Sequence, residues 1–423
     1  MPSKVYRKRG LVMVVTLAAL AGVVMGVAIF ANNQNNAVQI SINRNELRRA
    51  RVAALAGMQY AMNSIQAVAD APQDPVTSED DWAALGQEGS ETFILGNESF
   101  RIQIVDNSTF LDLNTVTEAQ LLNLNLTQEQ IDSLLDWREQ GTNPRTEGAK
   151  DEYYNGLSKP YNTHLNRFQT VLELLNVKGF NPQTLFQFNT NTISTSANAV
   201  TDIPLYDLIG LDCFSTASNP EGDGKANINL PTLTAQQLAQ NAQIPQANAQ
   251  TIIQQRGLQP NQQFPNLSTV INLPSFQNNQ ALIRSVLDRM TTSATERVEG
   301  RINVNTATSS VLQTIPGISQ DLAEQIVSNR PSGGYRLLSE LLTVSGDSAF
   351  VGAVADSLCV NSQSFLIRII GKAGRMTVAI QALVTISDSV PTITRIEDAP
   401  FPDMASRWNW QEPATETTLL ENQ

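Results

Sequence analysis

Arg9-Gly10-Leu11-Val12-Met13 opens an apolar run that continues without a charged residue to Ala31. The ten residues ahead of it carry Lys4, Arg7, Lys8 and Arg9 and no acid. At about 1.5 Å of rise per residue, a helix of that length crosses a hydrocarbon core of about 30 Å. The basic flank predicts a cytoplasmic N-terminus, with everything after residue 32 on the far side of the membrane. A cleaved secretory signal has a shorter apolar stretch and a small-residue site at its far end. Here the small residue, Gly10, precedes the apolar run, so a cut between Gly10 and Leu11 leaves the membrane helix on the mature protein. A plain uncut signal anchor is the alternative.

The Arg9-Gly10-Leu11 stretch resembles the site used by prepilin peptidase, which makes residues 1–10 a prepilin-type leader. Pilin-like proteins generally carry Glu as the fifth mature residue, where its charge neutralises the terminal amine of a neighbouring subunit in the apolar filament core. Counting from Leu11, the fifth residue is Val15. A subunit with nothing ahead of it needs no such carboxylate, so Val15 points either to a tip subunit or to a chance leader match. Helical spacing then continues through Leu47, Ala50, Ala54, Met58, Ala61 and Ile65. Arg44, Arg48, Arg49 and Arg51 are expected to face lipid headgroups or partner acids. Ala71-Pro72 and Asp74-Pro75 end the helix.

Two strand clusters lie far apart. Glu91 to Leu95, a Gly96-Asn97 turn and Ser99 to Asp106 read as one hairpin, with Phe100, Ile102 and Ile104 alternating at period two. Ser364 to Ile370, a turn at Gly371-Lys372-Ala373-Gly374 and Met376 to Ser387 read as a second, and Thr392 to Ile396 adds a strand. Between the clusters the sequence is helical in pattern. The expected organisation is a leader at 1–10, a membrane helix at 11–31, its far half at 32–70 and a sheet built from 91–110 and 361–398. A helical insertion occupies 111–360, and an extended tail with Trp408 and Trp410 follows at 399–423.

The insertion repeats itself three times, at about 110–180, 225–277 and 300–348. Leu111 to Asn114, Ala226 to Asn229 and Ile302 to Asn305 answer one another. Phe168, Val171, Glu173, Leu174, Leu175, Val177 and Gly179 match Tyr335, Leu338, Glu340, Leu341, Leu342, Val344 and Gly346 without a gap. Arg256 and Arg330 stand at the end of the second helix of their units. The third unit, around Pro316-Gly317-Ile318, resembles helix-hairpin-helix modules, whose hairpin amides receive a phosphate. Charge argues against that use. The chain has 28 Lys+Arg against 40 Asp+Glu, a net charge of −12, and residues 300–350 hold three arginines against four acids. An acidic surface repels phosphates, so nucleic acid is not the expected partner.

Leu135-Asp136-Trp137-Arg138, Gly148 to Tyr154, Lys159-Pro160-Tyr161-Asn162 and Leu172-Glu173-Leu174 together resemble the general secretion pathway protein K family, minor pseudopilins of type II secretion. The likeness extends over most of residues 8 to 395. It implies an α+β pseudopilin fold, a long N-terminal transmembrane helix packed on a small antiparallel sheet, with a large mainly α-helical insertion of helix-hairpin-helix-like repeats. It also implies an inner-membrane, single-pass subunit with its bulk in the periplasm, found at the pseudopilus tip. Implied partners are minor pseudopilins I and J, prepilin peptidase, the inner-membrane assembly platform and exoproteins. Its one covalent event would be cleavage between Gly10 and Leu11, with methylation of the new amine.

Members of that family bind calcium in the helical domain, and the acids of residues 136–152, Asp136, Glu139, Glu147, Asp151 and Glu152, are the corresponding candidates. Lys150 stands where the family usually has an acid, and a solvated loop is the alternative reading. Glu221-Gly222-Asp223-Gly224 is a second oxygen-rich turn. Cys213 and Cys359 fall on the oxidising side of the membrane, which permits a disulfide without establishing one. His164 is the only histidine. The base of a Ser-His-Asp or Cys-His enzyme would have to rest on it alone, no zinc cluster can be assembled and no other catalytic set stands out, so an enzyme is not expected.

Overall fold

No proline lies between residues 3 and 71, and a single helix, α1 (Tyr6–Asp70), runs through that interval. The computed structural model describes residues 6–72, 74–187, 193–216, 224–295, 297–398, 408, 410 and 415–420, so the Glu221-Gly222-Asp223 turn lies outside the described residues. The second half of α1 lies on a six-stranded sheet of β1 (Glu91–Leu95), β2 (Glu98–Asp106), β3 (Ser364–Ala373), β4 (Met376–Ser387), β5 (Val390–Asp398) and β6 (Thr415–Leu420). Their order across the sheet is β5-β4-β3-β2-β1-β6. All neighbours are antiparallel except β6, which joins the edge of β1 in parallel, Glu91 opposite Thr415. The small antiparallel sheet expected from 91–110 and 361–398 thus gains a parallel edge strand, drawn from the segment expected as an extended tail. Threonine-rich residues 415–420 satisfy the otherwise bare polar groups of an edge strand.

Alternation selects the face beneath α1. Phe100, Ile102 and Ile104 of β2, Phe365, Ile367 and Ile369 of β3, and Ile380, Ala382 and Val384 of β4 are buried there with Phe93 and Trp82. From α1 they meet Ala50, Ala53, Ala54, Met58, Ala61, Ile65 and Ala69, and small side chains let the helix lie close. At Gly371 an added Cβ would sit 2.1 Å from the Ala50 carbonyl oxygen. Gly371 is therefore inside β3 beneath the helix rather than in the turn, which is shorter than expected and reduced to Gly374-Arg375. Leu47, expected in the stripe, is 43% exposed because the helix here passes the end of the β3–β4 hairpin, where Glu46 accepts from the Arg375 amide at 3.0 Å.

The helical insertion leaves the sheet after Asp106 and returns at Ser364, on adjacent strands with Asp106 opposite Phe365. The two crossings are tied by buried polar groups. The Asp106 carboxylate accepts from the Ser108 amide (2.8 Å), Asn303 Nδ2 (2.8 Å) and Thr306 Oγ1 (2.6 Å), while Asn107 Nδ2 donates to Ser364 Oγ at 2.9 Å. Near this end the chain after α1 is also held, the Val76 amide donating to the Val360 carbonyl and Asn303 Nδ2 to the Val76 carbonyl. The opposite end of the sheet lies by Glu46 and Arg49, toward the apolar half of α1. The helical domain thus caps the end of the sheet away from the apolar run.

Each repeat opens and closes with a two-residue strand, and the two lie side by side in parallel. Leu111-Asp112 pairs with Ile209-Gly210, Ala226-Asn227 with Met290-Thr291, and Ile302-Asn303 with Leu358-Cys359. All three units therefore extend beyond the expected ends near 180, 277 and 348, to Gly210, Thr291 and Cys359, and one continuous apolar core runs through them.

Gly371→Val forces a side chain against the backbone of α1, and overpacking of this kind costs about 1–3 kcal/mol. A lowered urea midpoint for the detergent-solubilised protein is expected; an unchanged midpoint would show that α1 does not rest on β3 at this residue.

Candidate assembly surfaces and the acidic loop

Among the described residues, the apolar first half of α1 stands exposed. Leu11 is 68% exposed and Val15 60%, and similar values continue to Phe30. This is a helix long and apolar enough to cross a membrane, with a window of mean hydropathy 2.6. Gly10 lies within its continuous backbone, beside Leu11. Arg44 and Arg48 are exposed. Arg49 instead pairs with Glu98 of β2, and Arg51 Nη1 with Asp398 Oδ1 of β5 at 2.7 Å. Two of the four arginines expected to seek lipid or partner acids are thus engaged by the protein's own sheet.

The three helical units share one internal clamp. Asn114 accepts from the Phe168 amide at 2.7 Å and donates to the Phe168 carbonyl at 3.2 Å. Asn229 does the same to Phe264 (2.7 and 2.9 Å), and Asn305 to Tyr335 (2.7 and 3.0 Å). A second member comes from the hairpin helices Gln128–Arg138, Gln246–Leu258 and Gln320–Ser328 or the residues just after them. Arg138 donates to the Leu113 and Val116 carbonyls, each at 2.7 Å. Arg256 reaches those of Ile228 (3.1 Å) and Leu230 (2.7 Å), and Arg330 those of Val304 (2.9 Å) and Ala307. The match of Arg138 to Arg256 and Arg330 escaped sequence reading because a long excursion follows it in the first unit alone.

This clamp bears on the helix-hairpin-helix resemblance. Arg330 is used on carbonyls, Arg301 is buried, and Arg336 pairs with Asp74 at 3.5 Å. Gly317 has φ of +95°, and a Cβ there would lie 2.6 Å from the Ala349 carbonyl oxygen. The hairpin glycine therefore packs on the unit's last helix, and of the three arginines of this unit only Arg336 is exposed, beside Asp74, so they form no basic cluster to support a phosphate.

The candidate acids of residues 136–152 do not converge. Asp136 is buried; its Oδ2 accepts from the Arg145 amide at 3.0 Å, and an added Cβ at Gly148 would collide with that oxygen. Glu139 forms an ion pair with Arg145 at 3.0 Å. Asp151 Oδ1 accepts from the Thr163 amide (2.7 Å) and hydroxyl (2.5 Å), which hold its carboxyl below the usual carboxylate range. Glu147 and Glu152 are exposed. Lys150 is 5% exposed, and its Nζ donates to the carbonyls of Asp136 (2.5 Å) and Glu139 (2.6 Å), with Asp136 Oδ1 at 4.0 Å. Burial lowers the ammonium pKa and raises that of Asp136, each opposed by the other's charge. Among the described residues, no group of three His, Cys, Asp or Glu could hold a metal ion.

Cys213 and Cys359 are free thiols, both buried, so the disulfide that sequence permitted is not formed. Burial raises both pKa values, that of Cys359 to about 12, and its Sγ donates to the Asn361 carbonyl at 3.2 Å. His164 Nδ1 lies 2.6 Å from Glu173 Oε1, which also accepts from Trp137 Nε1 at 2.8 Å. These contacts give His164 a structural place. Trp408 and Trp410 lie against the sheet: Trp410 Nε1 donates to Gln103 Oε1 at 3.1 Å beneath Arg101. The two tryptophans admitted a packing role in the sequence, but not which surface they pack on.

Residues 112–201 match the family model described as type II secretion system (T2SS), protein K, and residues 298–349 match the helix-hairpin-helix motif. A chain from the crystal structure of the GspK-GspI-GspJ complex of the enterotoxigenic Escherichia coli Type 2 Secretion System is similar in fold. The match has a TM-score of 0.52 at 12% identity and covers 85% of this chain and 99% of that one. The endonuclease/exonuclease/phosphatase family domain-containing protein 1 of Danio rerio is 38% identical over 66 residues, 15% of this chain. The chain spans 12% of that protein's length.

Asp112, the counterpart of Asn227 and Asn303 in the other units, carries a pH dependence. Its oxygens accept from the amides of Asn114 and Cys213, each at 2.8 Å, and burial, helped by Glu299 and Asp212, pushes its pKa up from 3.8 to about 7. A folded pKa above the unfolded one means that folding takes up a proton. The contribution is complete below about pH 4 and is lost as pH rises through about 7, on the order of 2–4 kcal/mol. Asp112→Asn is expected to flatten that fall in urea midpoints between pH 4 and 7; an equally steep fall in the variant would remove Asp112 as its source.

Proposed function

We propose that this chain is a minor pseudopilin of the type II secretion protein K family, a structural component rather than an enzyme, and that it stands at the tip of its pseudopilus; the family-model match over residues 112–201 and the similar fold support this reading. The observation that carries this reading is the position of the helical domain at the end of the sheet away from the apolar half of α1. In a filament whose subunits align their apolar helices, that domain projects ahead of the packed sheets and leaves no room for a subunit above it. Val15 supports the same place, since the fifth mature position lacks the carboxylate that would receive the amine of a subunit ahead.

On this reading Leu11 to Ala31 holds the protein in the inner membrane with the basic N-terminus cytoplasmic and the bulk periplasmic. Prepilin peptidase cuts between Gly10 and Leu11, the new amine is methylated, and the helix passes from bilayer to filament core. The partners are minor pseudopilins I and J and the inner-membrane assembly platform, and the assembled pseudopilus moves exoproteins through the outer membrane. The complex named for the similar solved structure supports the I and J assignment.

The helix-hairpin-helix match favours a second reading, a type IV or competence-type minor pilin whose modules touch DNA. The acidic balance and the inward use of Arg301 and Arg330 weigh against it.

Coexpression with prepilin peptidase tests the leader. Gly10→Arg should retain the precursor mobility on a gel, whereas processing at the wild-type rate would sink the pseudopilin reading. Coexpressed I and J pseudopilins should copurify with the chain as a complex. For the DNA reading, duplex DNA titrated at low and moderate salt should give no salt-sensitive binding; tight binding that weakens steeply with salt would favour the pilin alternative.

A further inference from the structure

The helix Gln128–Arg138 ends in carbonyls without helical partners, and its dipole favours a cation there. The Lys150 ammonium fills that position. Two of its three donors reach the Asp136 and Glu139 carbonyls at 2.5 and 2.6 Å, and the buried Asp136 carboxylate stands 4.0 Å away. Calcium would need six to eight oxygens at about 2.3–2.6 Å, and the oxygens nearest this point are already committed. Asp136 Oδ2 accepts from the Arg145 amide, Glu139 pairs with Arg145, and Asp151 is held by Thr163. The residues present do not fit a divalent ion, because a cation carried by the chain stands among them.

We infer that Lys150 is an internal replacement for a metal ion, closing residues 136–152 onto the end of the hairpin helix so that this domain folds without calcium. Lys150 also precedes the helix Asp151–Asn155 as its cap residue, so one side chain joins the end of one helix to the start of the next. Gly148 completes the arrangement: any side chain there would displace the Asp136 carboxylate from beneath the loop backbone. The inference does not depend on where the subunit stands in a filament.

Thermal unfolding of the full-length protein in detergent, with excess EDTA and with millimolar calcium chloride, tests it. Wild-type melting temperatures are expected to agree within about 1 °C. Lys150→Met leaves two carbonyls and a carboxylate without their cation and should lower the melting temperature by about 2–4 °C in both conditions. A wild-type protein stabilised by calcium or destabilised by EDTA would overturn the inference, as would a Lys150→Met protein that melts with the wild type. Should Lys150→Met fail to accumulate, the wild-type comparison alone decides the calcium dependence.

Discussion

A large domain inserted between two neighbouring strands must enter and leave within one strand spacing, about 4.8 Å, and the structure depends on how that crossing is closed. Backbone and side-chain polar groups buried there each cost about 1–3 kcal/mol if left unpaired. Asp106 draws them together: it ends β2, caps the turn that follows and reaches Asn303 and Thr306 of the third helical unit. Asn107 and Ser108 join Ser364 and Ser362 on the returning strand. The helical domain is thereby fixed to the sheet as an extension of it, and its placement beyond the end of α1 follows.

Within the insertion, one solution is used three times. A short strand cannot hold its place by two hydrogen bonds, so each unit adds an asparagine that reads both polar groups of an aromatic residue's backbone and an arginine that collects the loop carbonyls. The asparagines stand out in the sequence because they are close to the strand. The arginines do so only in part, because the intervening length differs between units. Their inward use also explains how helix-hairpin-helix sequences can persist on an acidic protein: the residues that resemble a phosphate cradle are the ones that pack the hairpin on its neighbour.

Much of the fold was legible in periodicity. The two hairpins, the central strands and the alternation of Phe100, Ile102 and Ile104 fall where spacing puts them. Departures have local physical causes. Gly371 reads as a turn residue in sequence, yet its freedom from a side chain serves the passage of α1. The tail strand β6 was invisible because pairing with an edge strand needs little intrinsic signal, only an available partner. Of the candidate acids, sequence brought five carboxylates into one stretch, but whether they converge depends on hydrogen bonds from Thr163 and Arg145 that no spacing encodes.

The sequence by itself determined the apolar helix with its basic flank, the small-residue stripe that follows, the two hairpins and the threefold repeat. These rest on periods of 2 and 3.6 and on residues next to one another in the chain. Only the tertiary structure decided that Arg49 and Arg51 serve the sheet, that Cys213 and Cys359 remain thiols, and that Lys150 stands among the acids as their cation. Charges and thiols act through distances of a few ångströms. Residues far apart in the chain acquire those distances only when the insertion folds back upon its own beginning.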